Sequence, residues 1–232
     1  MAKLLLIRHG QASYGQADYD RLSPRGEEQA RALGTHLRGT RIDALYVGPL
    51  RRQLETAARA AETAGDSLPA PTQIAELAEY PAFELVTRLL PRLIAEDARF
   101  AQLATGASRE LANEAFQTIM RRWSHDEWHV DGIERVGEFA ARVRRGLERI
   151  VGELNSGANV AVVTSAGPIG VAVGLVFAAS ALHMVRTSAV IRNASITELL
   201  VRTHEFAWHP EQVSLLGFNS LAHLPAELHT EY

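Results

Sequence analysis

Three short segments hold the side chains with chemical reach. Arg8-His9-Gly10-Gln11 follows one apolar run, Gly48-Pro49-Leu50-Arg51-Arg52 a second, and Thr164-Ser165-Ala166-Gly167-Pro168 a third. Arginine presents a planar, permanently charged fork that matches the oxygens of a phosphoryl group. Beside guanidiniums the protonated form of a histidine is disfavoured, and a neutral imidazole is a nucleophile near neutral pH. Gly10 lets the backbone pass close to a ligand. The amides of Ala166 and Gly167, at a helix start, could hold an anion. These residue types suit an anionic, phosphoryl-bearing ligand.

The elements that must position them follow from periodicity and caps. Lys3–Ile7 reads as a buried strand. Ser23 is an N-cap and Pro24 the first residue of a helix reaching about Arg38, with Ala30, Leu33 and Leu37 as its apolar stripe. Ala44–Val47 is a second strand, and Pro49 starts a helix that Gly65 stops after Ala64. A short extended piece is expected near Thr72–Ile74. From Glu79 to about Leu154 the pattern is helical, with breaks at Pro81, Pro91, Gly106, Ser124–Gly132 and Gly152. Val160–Thr164 is a strand, Ile169–Ala179 a buried helix, and Ile196–Val201 and Val213–Phe218 are late strands. Strands alternating with helices predict a three-layer α/β/α sandwich around a mainly parallel sheet. One domain over residues 1–232 is expected, with a helical insertion at about 80–132 beside the sheet. In open α/β folds ligands collect at the carboxyl ends of strands, where all three segments fall.

Arg8-His9-Gly10 after the first strand, Leu22-Ser23-Pro24-Arg25-Gly26 opening the next helix, and G-P-L-R-R-Q-L-E-T-A at 48–57 occur in an order and spacing that resemble the histidine phosphatase superfamily, the branch containing the cofactor-dependent phosphoglycerate mutases. The third segment resembles that family's S-P-L-x-R-x-x-x-T-A and places Arg52 on the motif arginine and Thr56 on the motif threonine. The resemblance covers the strand-and-helix frame, and the helical middle only loosely. It implies a phosphatase-type hydrolase in which His9 is transiently phosphorylated, Arg8 and Arg52 arrive from neighbouring strand ends to clamp the phosphoryl group, and Gln11 lies at the phosphate site.

A departing alkoxide needs a proton, usually from a carboxylic acid of raised pKa. The family takes it from an L-x-E segment. Leu77-Ala78-Glu79 matches, which makes Glu79 the expected donor, with Glu76 and then Glu84 as alternatives. Tyr80-Pro81-Ala82-Phe83 stand where the family often has glycines. A larger departure lies after the third strand. The family reads S-H-G-G there and this chain T-S-A-G, so Ser165 occupies the second histidine's position. A neutral hydroxyl donor is about half as strong as a charged one, and loss of a preorganised donor typically costs on the order of 10²–10³ in rate. Either the site works slowly, or His183, His204 or His209 reaches in, or the protein binds a phosphorylated ligand without turnover.

Composition bounds the alternatives. The 232 residues carry 27 acidic and 24 basic side chains, a formal charge of −3, too little basic excess for a nucleic-acid-coating protein. Lys3 is the only lysine, so only placed arginines are informative. Cysteine is absent, which excludes disulfides and thiolate metal sites. No charged residue lies between Glu153 and Arg186, but Gly167-Pro168 interrupts that stretch. Ile169–Leu182 would rise only about 21 Å as a helix, against about 30 Å of hydrocarbon. A soluble, cytoplasmic protein is expected, without metal or cofactor, whose partner is a small phosphorylated substrate or phosphate rather than nucleic acid or membrane.

In His125-Asp126-Glu127-Trp128-His129, two histidines four apart on a helix could face one metal, yet Asp126 stands where the H-E-x-x-H motif needs Glu, and a solvated interhelical segment is expected. Trp123 and Trp128 are expected to pack between helices. Asn219 and His223 resemble a C-terminal segment of some superfamily members. The competing functions are a phospho-ligand-binding or scaffold protein with a dead site, a phosphoglycerate-mutase-like phosphotransferase, and, last, a metal-dependent hydrolase built on His125 and His129.

Overall fold

In Ala2–Arg8 (β1), successive side chains point to opposite faces of a sheet. Leu4 and Leu6 enter one apolar core, Leu5 and Ile7 a second. A computed structural model describes residues 1–13, 18–106, 108–204, 206–209 and 211–230. β1 pairs with Asn159–Thr164 (β4) in parallel and with Ile196–Val201 (β5) antiparallel. Ala44–Val47 (β2), Pro71–Gln73 (β3) and Val213–Ser220 (β6) complete a six-stranded sheet of order β3-β2-β4-β1-β5-β6. β1 to β4 run parallel to one another.

Helices cover both faces, which makes the three layers. Pro24–Leu37 (α1) and Arg51–Ala64 (α2) pack on Leu5, Ile7, Leu45 and Val47. Ala82–Glu96 (α3), Arg109–Ser124 (α4), Val136–Gly152 (α5), Ala166–Val176 (α6) and Ala181–Ser188 (α7) enclose the larger core on the other face. Trp123 and Trp128 lie fully buried in that core. No described helix is long and apolar enough to cross a membrane.

Several boundaries differ from the sequence expectation. The second helix begins at Arg51, two residues after Pro49, with Leu50 as N-cap. Pro91 does not break α3. A proline inside a helix costs about 3 kcal/mol; burial of Leu85, Leu89 and Leu93 on one stripe, each contributing about 1.5–3 kcal/mol, outweighs it. α6 starts at Ala166 rather than Ile169, with Pro168 in the first turn, where its missing N–H has no helical partner to lose. His125 is the C-cap of α4, and His129 lies beyond that helix, so the two histidines do not share one helical face. Among the described residues no group of three or more metal-ligating side chains gathers.

Away from the strand ends, His223 stacks on His36 with ring centroids 5.1 Å apart. Burial, then the His36 ring, pushes the His223 pKa down to about 4. The unfolded chain takes up that proton near pH 6.5 and the folded one only near 4. Stability therefore falls as pH drops through this window, and thermal melts at pH 7 and pH 5 should differ less in His223→Leu than in wild type.

Candidate active site

The parallel register decides where the chemistry gathers. Arg8 lies opposite Thr164, Val47 opposite Val163, and Val47 also opposite Gln73. The carboxyl ends of four strands are thus level, and the segments that follow them converge. β1 and β2 are not neighbours, however: β4 lies between them. Arg52 reaches His9 from the first turn of α2, which folds back over the end of β4, rather than from an adjacent strand end.

His9 is 4% exposed. Its backbone N–H donates to Thr164 O at 2.9 Å, and its carbonyl accepts from Ala194 N at 3.2 Å and Asn193 Nδ2 at 3.3 Å. The ring's tautomer follows from its partners. Arg52 Nε–H, which only donates, stands 3.0 Å from Nε2; the Gly10 carbonyl, which only accepts, stands 2.7 Å from Nδ1. The proton therefore sits on Nδ1 and Nε2 carries the lone pair. Burial first, then Arg52 and Arg8, hold the His9 pKa well below its ordinary value, so the ring is neutral at pH 7.

The guanidiniums are fixed from outside. Arg8 Nη1 donates to the Ile191 carbonyl. Burial lowers the Arg8 pKa, Arg52 adds to this, and Glu79, Tyr19 and Tyr80 oppose it. Arg52 is 8% exposed, donates from Nη1 to Asp20 Oδ1 at 2.5 Å, and lies 5.4 Å from the Tyr19 ring centre. Thr56 Oγ accepts from Gly10 N at 3.0 Å and donates to Arg52 O at 2.7 Å, tying the histidine loop to α2. Gln11 braces the frame beside the site: its Oε1 accepts from Ser23 Oγ, the α1 N-cap, and its backbone N–H donates to Gln29 Oε1.

Glu79 is partly buried on the third side. Its Oε2 accepts from Gly167 N at 2.9 Å and its Oε1 from Tyr80 N at 3.1 Å. The carboxylate itself thus takes the amide at the start of α6 that the sequence offered to an external anion. A Cβ on Gly167 would lie 1.9 Å from Glu79 Oε1, so this contact needs glycine. Burial raises the Glu79 pKa, against the Gly167 amide and Arg52. The alternative acids lie elsewhere: Glu76 packs its Cβ against Gly146 of α5, and Glu84 is exposed beside Arg88.

Ser165 has no exposed surface, and its Oγ accepts from Gln53 Nε2 at 2.8 Å. Gln53 in turn accepts from Leu50 N and donates to Leu77 O. His183, His204 and His209 are exposed, and His183 bonds Ser180 on its own helix. A histidine four residues from another, or any lone histidine in sequence, gives no hint of such placement.

Several residues of the site had no role assigned from the sequence, Asn219 among them although its segment resembles one of the family. Asn193 Oδ1 accepts from Thr230 Oγ, and Thr230 Oγ accepts from Gln29 Nε2, so a buried chain of amides and hydroxyls runs from the His9 carbonyl to the C-terminal segment. Asn219, at φ 54°, donates to Val190 O and accepts from Arg192 N, bracing the loop ahead of Asn193. Asp20 and Gln53 belong with this set.

The likenesses agree with this geometry. A family model described as histidine phosphatase superfamily (branch 1) matches residues 4–88 and 84–212. Among solved structures, Bacillus stearothermophilus YhfR superposes with a TM-score of 0.69 at 18% identity, covering 96% of this chain and 99% of that one. A phosphoserine phosphatase mutant from Entamoeba histolytica gives 0.62 at 21% identity, with coverages of 97% and 100%. A mycobacterial glucosyl-3-phosphoglycerate phosphatase gives 0.60 at 22% identity, with coverages of 94% and 98%. These likenesses are of fold; the family match runs through most of the chain and through every strand end described above. The chain belongs to branch 1 of the histidine phosphatase superfamily.

Proposed function

We propose that the chain is a phosphatase-type hydrolase acting on small phosphomonoesters through a phosphohistidine at His9. The observation that carries this reading is the Nε2 lone pair of a buried, neutral imidazole bounded by a guanidinium fork. In the first step Nε2 attacks phosphorus and the bond to the ester oxygen breaks. The departing alkoxide takes a proton from Glu79, and the phosphoryl oxygens lie against Arg8 and Arg52. Positive charge that develops on the ring is met by the Gly10 carbonyl on Nδ1–H. In the second step a water attacks phosphorus and gives a proton to the Glu79 carboxylate. The P–N bond breaks, its electron pair returns to Nε2, and phosphate leaves. Every charge in this sequence is met by side chains or backbone groups of the chain, so the scheme is written without a metal. Structures of similar fold include proteins solved with phosphoserine, 3-phosphoglyceric acid and inorganic phosphate, and a phosphoryl group common to all three supports the substrate class.

Rapid acid-free quenching of wild type with a ³²P-labelled phosphomonoester in the presence of a chelator tests the proposal. An alkali-stable, acid-labile label on the protein is expected. Steady turnover with no label, or turnover that the chelator stops, would remove the phosphohistidine from the scheme.

A second reading, phospho-ligand binding without turnover, is favoured by one feature: Ser165 stands on the family's second histidine position and is paired with Gln53. Tight binding of inorganic phosphate together with no turnover across a broad phosphoester panel would establish it.

Gly167→Ala tests the station of the acid. The methyl group meets the far end of the Glu79 side chain and also Tyr80 Cδ1 at 2.9 Å, a ring packed on Trp123 and Phe139, so thermal stability should fall and a melt accompanies the assay. Turnover of alkyl phosphates should fall about tenfold or more because the acid is displaced from its station. An unchanged rate would place the proton donor elsewhere.

A further inference from the structure

Asp20 lies in the loop before α1 and accepts two hydrogen bonds. Its Oδ1 takes Arg52 Nη1 at 2.5 Å, and its Oδ2 takes the backbone N–H of Arg51, the first residue of α2, at 2.9 Å. The Arg52 side chain of this pair is 9% exposed, and the Asp20 side chain 38%. Asp18, two residues earlier, pairs with Arg51 instead, where both side chains are about half exposed. One acid of the loop therefore faces the histidine, through Arg52, and the other faces solvent.

A guanidinium has two forked edges, one formed by Nε and Nη2, the other by Nη1 and Nη2. Asp20 holds Nη1 and the helix start together. Nε then falls 3.0 Å from His9 Nε2, and the Nε–Nη2 edge is the one turned to the nucleophile. A phosphoryl group on Nε2 would replace this hydrogen bond and offer its oxygens to that edge. Arginine loses much rotamer freedom on being held this way, and an ion pair beside the site meets that cost before substrate arrives. Charge spreads over the equatorial oxygens in the transition state, so a fork already aimed there stabilises it more than the ground state.

We propose that Asp20 is a positioning residue: its carboxylate aims the Arg52 fork at the His9 nucleophile. This rests on the phosphohistidine reading above. Asp20 makes no contact with the ring itself and acts through Arg52.

The test is a double-mutant cycle on the full chain, with kcat, KM and inhibition by inorganic phosphate measured for each protein. Asp20→Ala is expected to lower kcat about ten- to a hundredfold, with KM and the phosphate inhibition constant moved less than about threefold. Asp20→Asn keeps one of the two acceptor oxygens, enough for Arg52 Nη1 or for the Arg51 N–H but not both, and should recover part of the loss. In an Arg52→Ala background Asp20→Ala should add less than about a twofold change, because the group it acts through is gone. Asp18→Asn, on the solvent side, should match wild type. An equal effect of Asp20→Ala with and without Arg52 would make the residue merely structural and overturn the proposal. So would a wild-type kcat, or a fall in KM and in the phosphate inhibition constant, the mark of a carboxylate that competes with substrate for Arg52. Should wild type itself turn over no phosphomonoester, the functional reading fails first; the Asp20 proposal fails alone when wild type is active and the cycle shows no coupling.

Discussion

His9→Ala is expected to lower turnover of every phosphomonoester at least about a thousandfold and to abolish labelling of the protein. The size follows from the number of tasks on one ring. Nε2 forms the bond to phosphorus, Nδ1–H fixes which nitrogen carries the lone pair, and the low pKa keeps that nitrogen unprotonated at neutral pH. No other described side chain meets these conditions beside Arg52. The variant also leaves Arg52 Nε, a buried donor, without its partner, at about 1–3 kcal/mol. A thermal melt is needed alongside the assay, and His9→Asn, which keeps an acceptor near that donor, should fold at least as well and remain inactive. Residual activity within tenfold of wild type in either variant would move the nucleophile elsewhere.

Glu79→Gln should lower kcat on alkyl phosphates about 10²–10³-fold and leave hydrolysis of 4-nitrophenyl phosphate much less affected. An alkoxide needs its proton as the bond breaks; an aryl oxide leaves without one. The pH profile carries a second signature. Burial raises the Glu79 pKa, so the acid form persists to higher pH than an ordinary carboxyl, and wild-type activity on alkyl esters should fall as pH rises through that value. In Glu79→Gln this alkaline limb should vanish. The acid limb belongs to His9: its pKa is depressed, so protonation silences the nucleophile only well below pH 6.5, in both proteins. Glutamine can keep the Gly167 contact through its carbonyl oxygen, so the variant tests proton donation rather than packing. Equal losses on alkyl and aryl esters would assign Glu79 to phosphate binding or to the frame.

Much of the frame was legible because local rules govern it. Ser23-Pro24 capped the first helix as expected, with Ser23 Oγ accepting from Gly26 N. Ala44–Val47 and Ile196–Val201 run as strands over the expected residues. Where local rules competed with burial, burial won: α3 passes through Pro91 because its leucine stripe lies in the core, and α6 takes Pro168 into its first turn. The positions of Arg8, His9 and Arg52 could be picked out because their segments follow recognisable strand ends and, together with Leu22-Ser23-Pro24-Arg25-Gly26, resemble the family's motifs in order and spacing. Asn193, Thr230, Gln29 and Asp20 could not, since a polar residue in a loop looks the same in sequence whether it meets water or the back of a nucleophile.

The order of apolar and polar residues was enough to predict an α/β sandwich with the segments of Arg8, His9 and Arg52 after strand ends, which the level ends of parallel strands bring together, while Glu79 and the choice of Arg52 came from the resemblance of the L-x-E and G-P-L-R-R segments. Tertiary structure alone decided which strand lies between β1 and β2, which imidazole nitrogen bears the proton, and that the amide at the start of α6 holds Glu79 rather than a ligand. These are outcomes of contacts between segments tens to hundreds of residues apart, set by hydrogen-bond geometry over a few ångströms, and no periodicity along the chain encodes them.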